Sequence, residues 1–180
     1  MDCRSDTPAP RRFAPRLLAL LAMLALLVVL APALARSAES FTLTGVGGRL
    51  GMVDPEGGDS TLGVGFHVEF AKPGSRWHIS PEILYWKDDP LRDVNVNLNV
   101  YYHFLPPGRI TPYLGAGGGL HFYDLDVEGV DGETDPGLNL LGGFRFPLSN
   151  NAHLFAEARY VATDLDQFQI FGGFTVPLAP

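Results

Sequence analysis

From residue 41 onward, apolar and polar positions alternate with a period of two. The cleanest run is Leu62 to Phe70. Leu62, Val64, Phe66, Val68 and Phe70 share one side, and Gly63, Gly65, His67 and Glu69 share the other. Successive side chains of an extended strand point to opposite faces, so this alternation predicts a strand with one apolar face. The pattern returns six more times. Trp77, Ile79, Pro81, Ile83 and Tyr85 oppose His78, Ser80, Glu82 and Trp86. Val94, Val96, Leu98, Val100, Tyr102 and Phe104 oppose Asn95, Asn97, Asn99, Tyr101 and His103. Leu114, Leu120 and Phe122 oppose Tyr113, Gly115, Gly117, Gly119 and His121. Leu138, Leu140, Phe144 and Phe146 oppose Asn139, Gly143 and Arg145. Leu154, Ala156, Ala158 and Tyr160 oppose His153, Phe155, Glu157 and Arg159. Phe168, Ile170, Phe174, Val176 and Leu178 oppose Gln167, Gln169 and Thr175. An eighth segment, Phe41 to Val53, sets Val46, Leu50 and Met52 against Arg49. Phe41 and Leu43 there have the wrong parity, which predicts a β-bulge or a late strand start. No helical period follows residue 40.

The preceding stretch has a different character. Arg4, Arg11, Arg12 and Arg16 lead into an apolar run, Leu17 to Leu30, that ends Ala31-Pro32-Ala33-Leu34-Ala35. A basic start, a short apolar core and a small-x-small end make a secretory signal peptide, residues 1–35, cleaved after Ala35. The remaining domain is 36–180. The single cysteine, Cys3, lies in the leader. The exported chain therefore has neither disulfide nor thiol chemistry.

The connections between strands differ in charge. After the second, fourth and sixth strands they are Lys72–Arg76, Pro106–Arg109 and Pro147–Asn151, without acidic residues. After the odd strands they are Asp54–Asp59, Asp88–Pro90, Asp124–Asp135 and Asp164–Asp166. Most of the acidic residues fall in these, with Asp93 grouped among them. Alternate connections of an antiparallel meander lie at opposite ends. One end should be short and mildly basic, the other longer and acidic. Mirror pairing about Lys72–Arg76 sets Phe70 opposite Trp77, Glu69 opposite His78 and His67 opposite Ser80.

Eight meandering strands close into a barrel because closure removes unpaired edges. Composition decides which face is inside. Charged residues are 18% of the chain, and the lysines are Lys72 and Lys87. The net charge is −7, and loss of the leader arginines makes it more negative. That is the wrong sign for a nucleic-acid partner. The polar face lacks lysine and is rich in Gly, Asn and His, which suits a crowded interior better than a water-facing wall. Aromatic residues mark both ends of the apolar face: Phe70, Trp77, Phe104 and Phe146 at one, Tyr85, Phe122, Tyr160 and Phe168 at the other. Two such girdles match the two interfaces of a bilayer. The expectation is an all-β, eight-stranded antiparallel up-and-down transmembrane β-barrel in a Gram-negative outer membrane. Short turns would face the periplasm and acidic loops the outside.

Gly47–Gly51, Pro112–Leu120, Leu138–Phe146, Phe155–Tyr160 and Gly172–Val176 resemble segments of the small outer-membrane β-barrels, the OmpA-type and opacity-protein group. The chain departs from that group in closing on Pro177-Leu178-Ala179-Pro180 rather than an aromatic residue. The resemblance implies a monomeric, non-enzymatic, porin-like protein without cofactor. Its role would be envelope-structural or surface contact. Its partners would be outer-membrane lipid, lipopolysaccharide and the barrel-assembly machinery.

Parity places Arg49, Glu69, Glu82, Arg145, Glu157 and Arg159 in the lumen, as an ion-pair network that would obstruct a channel. A narrow small-molecule channel is the third functional reading. His67, His78, His103 and His153 share the lumen face near the short-turn end, and His121 lies near the other. Imidazoles on adjacent strands can hold a metal or a proton, and hydrogen-bonded lumen packing is the simpler reading. His78-Ile79-Ser80 with Glu82 resembles the His-x-Ser motif of lipid A deacylases, which implies the second reading, a lipid-modifying enzyme. Those enzymes face outer-leaflet lipid, whereas His78 and Ser80 point inward near a periplasmic turn. Asp124, Asp126, Glu128 and Asp131 loosely resemble a calcium loop. Solvated acidic loops that bridge lipopolysaccharide through divalent ions account for them as well.

Overall fold

The computed structural model describes residues 41–104, 110–125, 132–149 and 152–178. The leader, Pro106–Arg109, Asp126, Glu128 and Asp131 lie outside them. The strands are β1 (Thr42–Pro55), β2 (Thr61–Ala71), β3 (Trp77–Asp88), β4 (Leu91–His103), β5 (Thr111–Leu125), β6 (Glu133–Ser149), β7 (Ala152–Ala162) and β8 (Gln167–Pro177). Each pairs antiparallel with its sequence neighbours, and β8 pairs with β1 to close the barrel. Closure leaves no strand without a neighbour on either side.

The alternation resolves as apolar out and polar in. Leu50, Met52, Leu62, Val64, Phe66, Leu98 and Leu140 are exposed on the outer wall. Arg49, His67, Glu69, Glu82, Asn95, Asn97, Asn99, Glu157 and Arg159 are buried within. Trp77, Phe104 and Phe146 face outward at one end, with Phe70 half-buried beside them. Tyr85, Phe122, Tyr160 and Phe168 face outward at the other. The irregular start of β1 is a register shift between Leu43 and Gly45 against β2. It lets Leu43 face outward while Gly45 and Arg49 face inward.

Interior space is made by glycine where large side chains cross. At Gly117 and Gly119 an added Cβ would collide with the amide oxygens of Asn99 and Asn97 and with the β4 backbone. Bare backbone on β5 is what lets the β4 asparagines lie flat across it.

Two expectations are corrected. The β2–β3 register is two residues off the mirror pairing: Phe70 faces Ile79, Ala71 faces His78 and His67 faces Glu82. The turn is asymmetric. Ser75 N–H donates to the Lys72 carbonyl at 2.9 Å, with Pro73 followed by Gly74 at φ +73°. That pair suits the two central positions of a tight turn. Arg76 then runs on toward β4, its carbonyl accepting from His103 N–H at 2.9 Å. The shift is even, so no side chain changes face.

The acidic end is also not the longer one. β5 continues to Leu125 and β6 starts at Glu133, so Asp124, Glu133 and Asp135 are strand residues. Asp89–Pro90 alone joins β3 to β4. Asp93 sits in β4, fully buried in the lumen. The 104–110 connection at the other end equals 126–132 in length. The contrast between the ends is one of charge, not reach.

Candidate functional site: a closed polar lumen

Four charged side chains from three strands, β1, β3 and β7, meet at the middle of the barrel. Arg49 of β1 donates from Nη1 to Glu157 Oε1 at 2.9 Å, and its Nη2 lies 3.0 Å from Glu82 Oε2. Arg159 donates from Nη2 to Glu82 Oε2 at 3.0 Å and to Glu157 Oε1 at 2.8 Å, and its Nη1 pairs with Glu82 Oε1. Tyr113 O–H adds a bond to Glu157 Oε2 at 3.0 Å. Two guanidiniums and two carboxylates alternate in a ring of zero net charge. Phe155 and Phe171 lie under the Arg49 guanidinium at 5.3 and 5.7 Å. Buried charges are tolerated when they are paired; here each charge is paired, while the Nε–H groups of Arg49 and Arg159 find no acceptor among the described residues. The strand period places Glu157 and Arg159 on one face, and closure brings β1 and β3 within reach.

Toward the acidic end, Asp93 is a node. It accepts from Trp86 Nε1 at 3.0 Å and Asn95 Nδ2 at 2.8 Å, and lies 2.8 Å from His121 Nδ1. Asn95 Oδ1 accepts from Asn97 Nδ2 at 2.6 Å. Asn139 Nδ2 bridges the Asn97 and Asn99 oxygens at 2.9 and 3.0 Å. Beside this ladder Val53, Leu84, Trp86, Tyr123 and Phe171 form an apolar plug, with Leu91 and Leu165 against it. Sequence reading missed the plug and misplaced Asp93. Inward parity of Val53, Leu84 and Phe171 was the available signal.

Toward the short-turn end, Glu69 pairs with Arg145, accepts from Thr175 Oγ1 at 3.4 Å, and lies 3.6 Å from His78 Nδ1. His67 Nε2 lies 3.0 Å from Thr175 Oγ1. The void bounded by Arg49, His67, Glu69, Tyr101 and Arg145 has a volume of about 10 Å³, room for one water at most.

The histidines do not converge as metal ligands. His78 and His103 stack face to face, centroids 4.3 Å apart, and His67 packs edge-on against Phe155 at 5.5 Å. Among the described residues, the group whose ligand atoms lie within 4.8 Å of one another is Glu133, Asp135 and Asp164, at the acidic end. Asp124 of the calcium-like spacing is instead paired with Arg92. The His78, Ser80, Glu82 set is also not assembled. Ser80 is fully buried and its Oγ has no hydrogen-bond partner, while Glu82 is held in the central ring.

At the acidic rim, Asp166 organises the β7–β8 connection. Its Oδ2 accepts from Tyr160 O–H at 2.5 Å, its Oδ1 from Thr163 N–H at 3.1 Å, and its carbonyl from Glu56 N–H at 2.8 Å. The Tyr160 phenol, then the Thr163 amide, hold this carboxyl below its ordinary pKa. A depressed carboxylate pKa stabilises the folded rim above the ordinary carboxylate range, and that contribution fades as pH falls through the lowered value. Tyr160→Phe should move the Asp166 pKa upward in a carboxyl-carbon NMR titration. An unmoved titration would remove the phenol as its cause.

The model of a family described as outer membrane protein beta-barrel domain matches residues 21–175. No curated protein matches the chain. Among solved structures, the barrel is similar to Neisserial surface protein A, with TM-score 0.64, 16% identity, and coverage of 77% of this chain and 97% of that one. It is similar to the N-terminal β-barrel domain of Pseudomonas aeruginosa OprF, with TM-score 0.59, 13% identity, and coverage of 74% and 97%. For the attachment invasion locus protein Ail of Yersinia pestis the TM-score is 0.51 at 14% identity, with 77% and 99% covered. At these identities the likeness is one of fold.

Proposed function

The chain belongs to the outer membrane protein β-barrel domain family, and from that premise we propose that it is a non-enzymatic, non-conducting barrel with an envelope-structural role. The observation that carries this reading is the central ring. Arg49, Glu82, Glu157 and Arg159 span the lumen with side chains at most 2% exposed. Ion passage would require breaking several charge-assisted bonds at once. An eight-strand lumen has no second path around them. The apolar plug above the ring adds a second barrier. Burial of Ser80 takes the one candidate nucleophile out of reach of lipid.

With an even number of strands, β1 starts and β8 finishes at one end, the end of the acid-free connections. That end faces the periplasm in barrels of this type. The opposite rim then presents Glu56, Asp59, Asp88, Asp89, Asp164 and Asp166 to the lipopolysaccharide layer, where divalent ions bridge its carboxylates to lipid phosphates. A cleaved leader at 1–35 and handling by the barrel-assembly machinery belong to the same reading, as does a monomeric state.

Planar-bilayer recording tests the closed lumen. The folded protein should give no discrete conductance steps. Regular unitary steps from a heat-modifiable, monodisperse sample would replace this reading with the narrow channel.

A further inference from the structure

The outer wall is uneven. On β2, β3 and β4 the lipid-facing positions carry Leu62, Phe66, Ile83, Val96 and Leu98. Midway along β6, β7 and β8, between Leu140, Phe144, Leu154 and Ile170, the wall is lined by small residues: Gly142 faces Ala158 across one ladder, and Ala156 faces Gly172 across the next. The result is an apolar groove of about 430 Å³, rimmed by Phe104, Leu114, Phe144 and Ile170.

Phe104 belongs to two neighbourhoods. It borders the groove, and its carbonyl accepts from Arg76 Nη1 at 3.4 Å. The same guanidinium nitrogen lies 3.5 Å from the Tyr102 hydroxyl. Tyr102 packs beside it, tilted against Trp77 and edge-on against Phe104, with centroids 4.9 and 5.3 Å apart. The charge distribution gives this corner its meaning. At the acidic end Lys87 is paired with Asp89 at 2.8 Å, and Arg92 with Asp124. In the lumen every arginine is paired with a glutamate. Lys72, over the Phe41 ring at 5.3 Å, and Arg76 have no carboxylate partner among the described residues. An exposed, unpaired guanidinium beside a phenol, at the mouth of an apolar groove, has the donors for a phosphate diester and the space for a hydrocarbon chain.

We propose that this corner holds an anionic phospholipid of the periplasmic leaflet. Its headgroup phosphate sits on Arg76 and Tyr102, and one acyl chain passes Phe104 into the groove over Ala156 and Ala158. The leaflet assignment rests on the outer-membrane reading above; the headgroup and chain chemistry does not.

Native mass spectrometry of the folded full chain in neutral detergent, with equal phosphatidylglycerol and phosphatidylethanolamine, tests it. Wild type should retain phosphatidylglycerol roughly fivefold over phosphatidylethanolamine, the scale expected for one basic residue near a lipid phosphate. Arg76→Gln should remove that preference and Lys87→Gln should keep it. Ala158→Phe, which points outward, should lower retention of both lipids, and Ala156→Leu fills the same groove should the first variant fail to fold. Equal retention by wild type, a preference that survives Arg76→Gln, or retention unchanged by a filled groove each overturns the site. So does a dimer that Ala158→Phe abolishes, since a second copy would then own the groove. A wild-type protein without a heat-dependent gel shift would sink the membrane reading and the site together. That outcome is separable from lost selectivity in a folded barrel.

Discussion

Arg159→Met should lower the stability of the folded barrel by about 3–5 kcal/mol, the usual cost of removing one partner of a buried ion pair. The substitution keeps most of the side-chain volume, so the loss is electrostatic rather than a cavity. It leaves Glu82 and Glu157 sharing Arg49 as their one cation in the ring, a net negative charge in a buried site. Adding Glu82→Gln restores neutrality, because Arg49 and Glu157 then remain as a pair at 2.9 Å. The double variant should therefore regain much of the loss, and the two changes should be strongly non-additive. Urea titration of the heat-modifiable band reads both. Equal midpoints for wild type and Arg159→Met would show that the ring contributes nothing to folding.

Leu98→Arg should impair insertion, at a cost of about 2–4 kcal/mol, and Leu62→Arg should cost about 0–1 kcal/mol. Exposure alone argues the opposite order: Leu62 is 66% exposed and Leu98 is 50%. Depth decides instead. Leu98 stands midway on β4 between Val94, which pairs with Tyr85 and Phe122, and Tyr102, which pairs with Trp77. It is midway between the two aromatic girdles. Leu62 lies beyond the Tyr85 level, since Tyr85 pairs with Val64. Yields of heat-modifiable protein in outer-membrane fractions should fall for the first and hold for the second. Equal yields would mean the outer wall meets water rather than lipid.

Strand number, order and facing were legible because a period of two is unforgiving: one residue of slip would turn Arg49 or Glu157 outward. The bulge near Leu43 was legible for the same reason, as a break in parity. Register was not. Whether Phe70 meets Trp77 or Ile79 depends on how Pro73 and Gly74 fold the turn, and both choices satisfy the alternation. Strand ends were hidden too. Asp124, Glu133 and Asp135 are acidic, yet the strand ladder extends through them beyond the apolar belt. Asp93 shows how far composition can mislead: its charge placed it with the loops, while Trp86, Asn95 and His121 make it an interior acceptor. The central ring was legible as a list of residues and not as a geometry. Closure sets Arg49 beside Glu157 across 108 positions of chain, which no local pattern records.

With the acidic rim outermost, as proposed above, the brevity of the connections would limit what can touch this protein from outside the cell. Glu56–Ser60 and Thr163–Asp166 are five and four residues long, and 126–132 is seven. A seven-residue excursion that must return to its rim can rise only about 12 Å above the strand ends. Under a coat of lipopolysaccharide sugars, such a rim lies beneath the canopy. Antibodies, phage fibres and host receptors would meet saccharide first. On the proposed orientation, the molecules able to reach its carboxylates would be small ones that diffuse between sugar chains, such as divalent ions and the lipid phosphates they bridge.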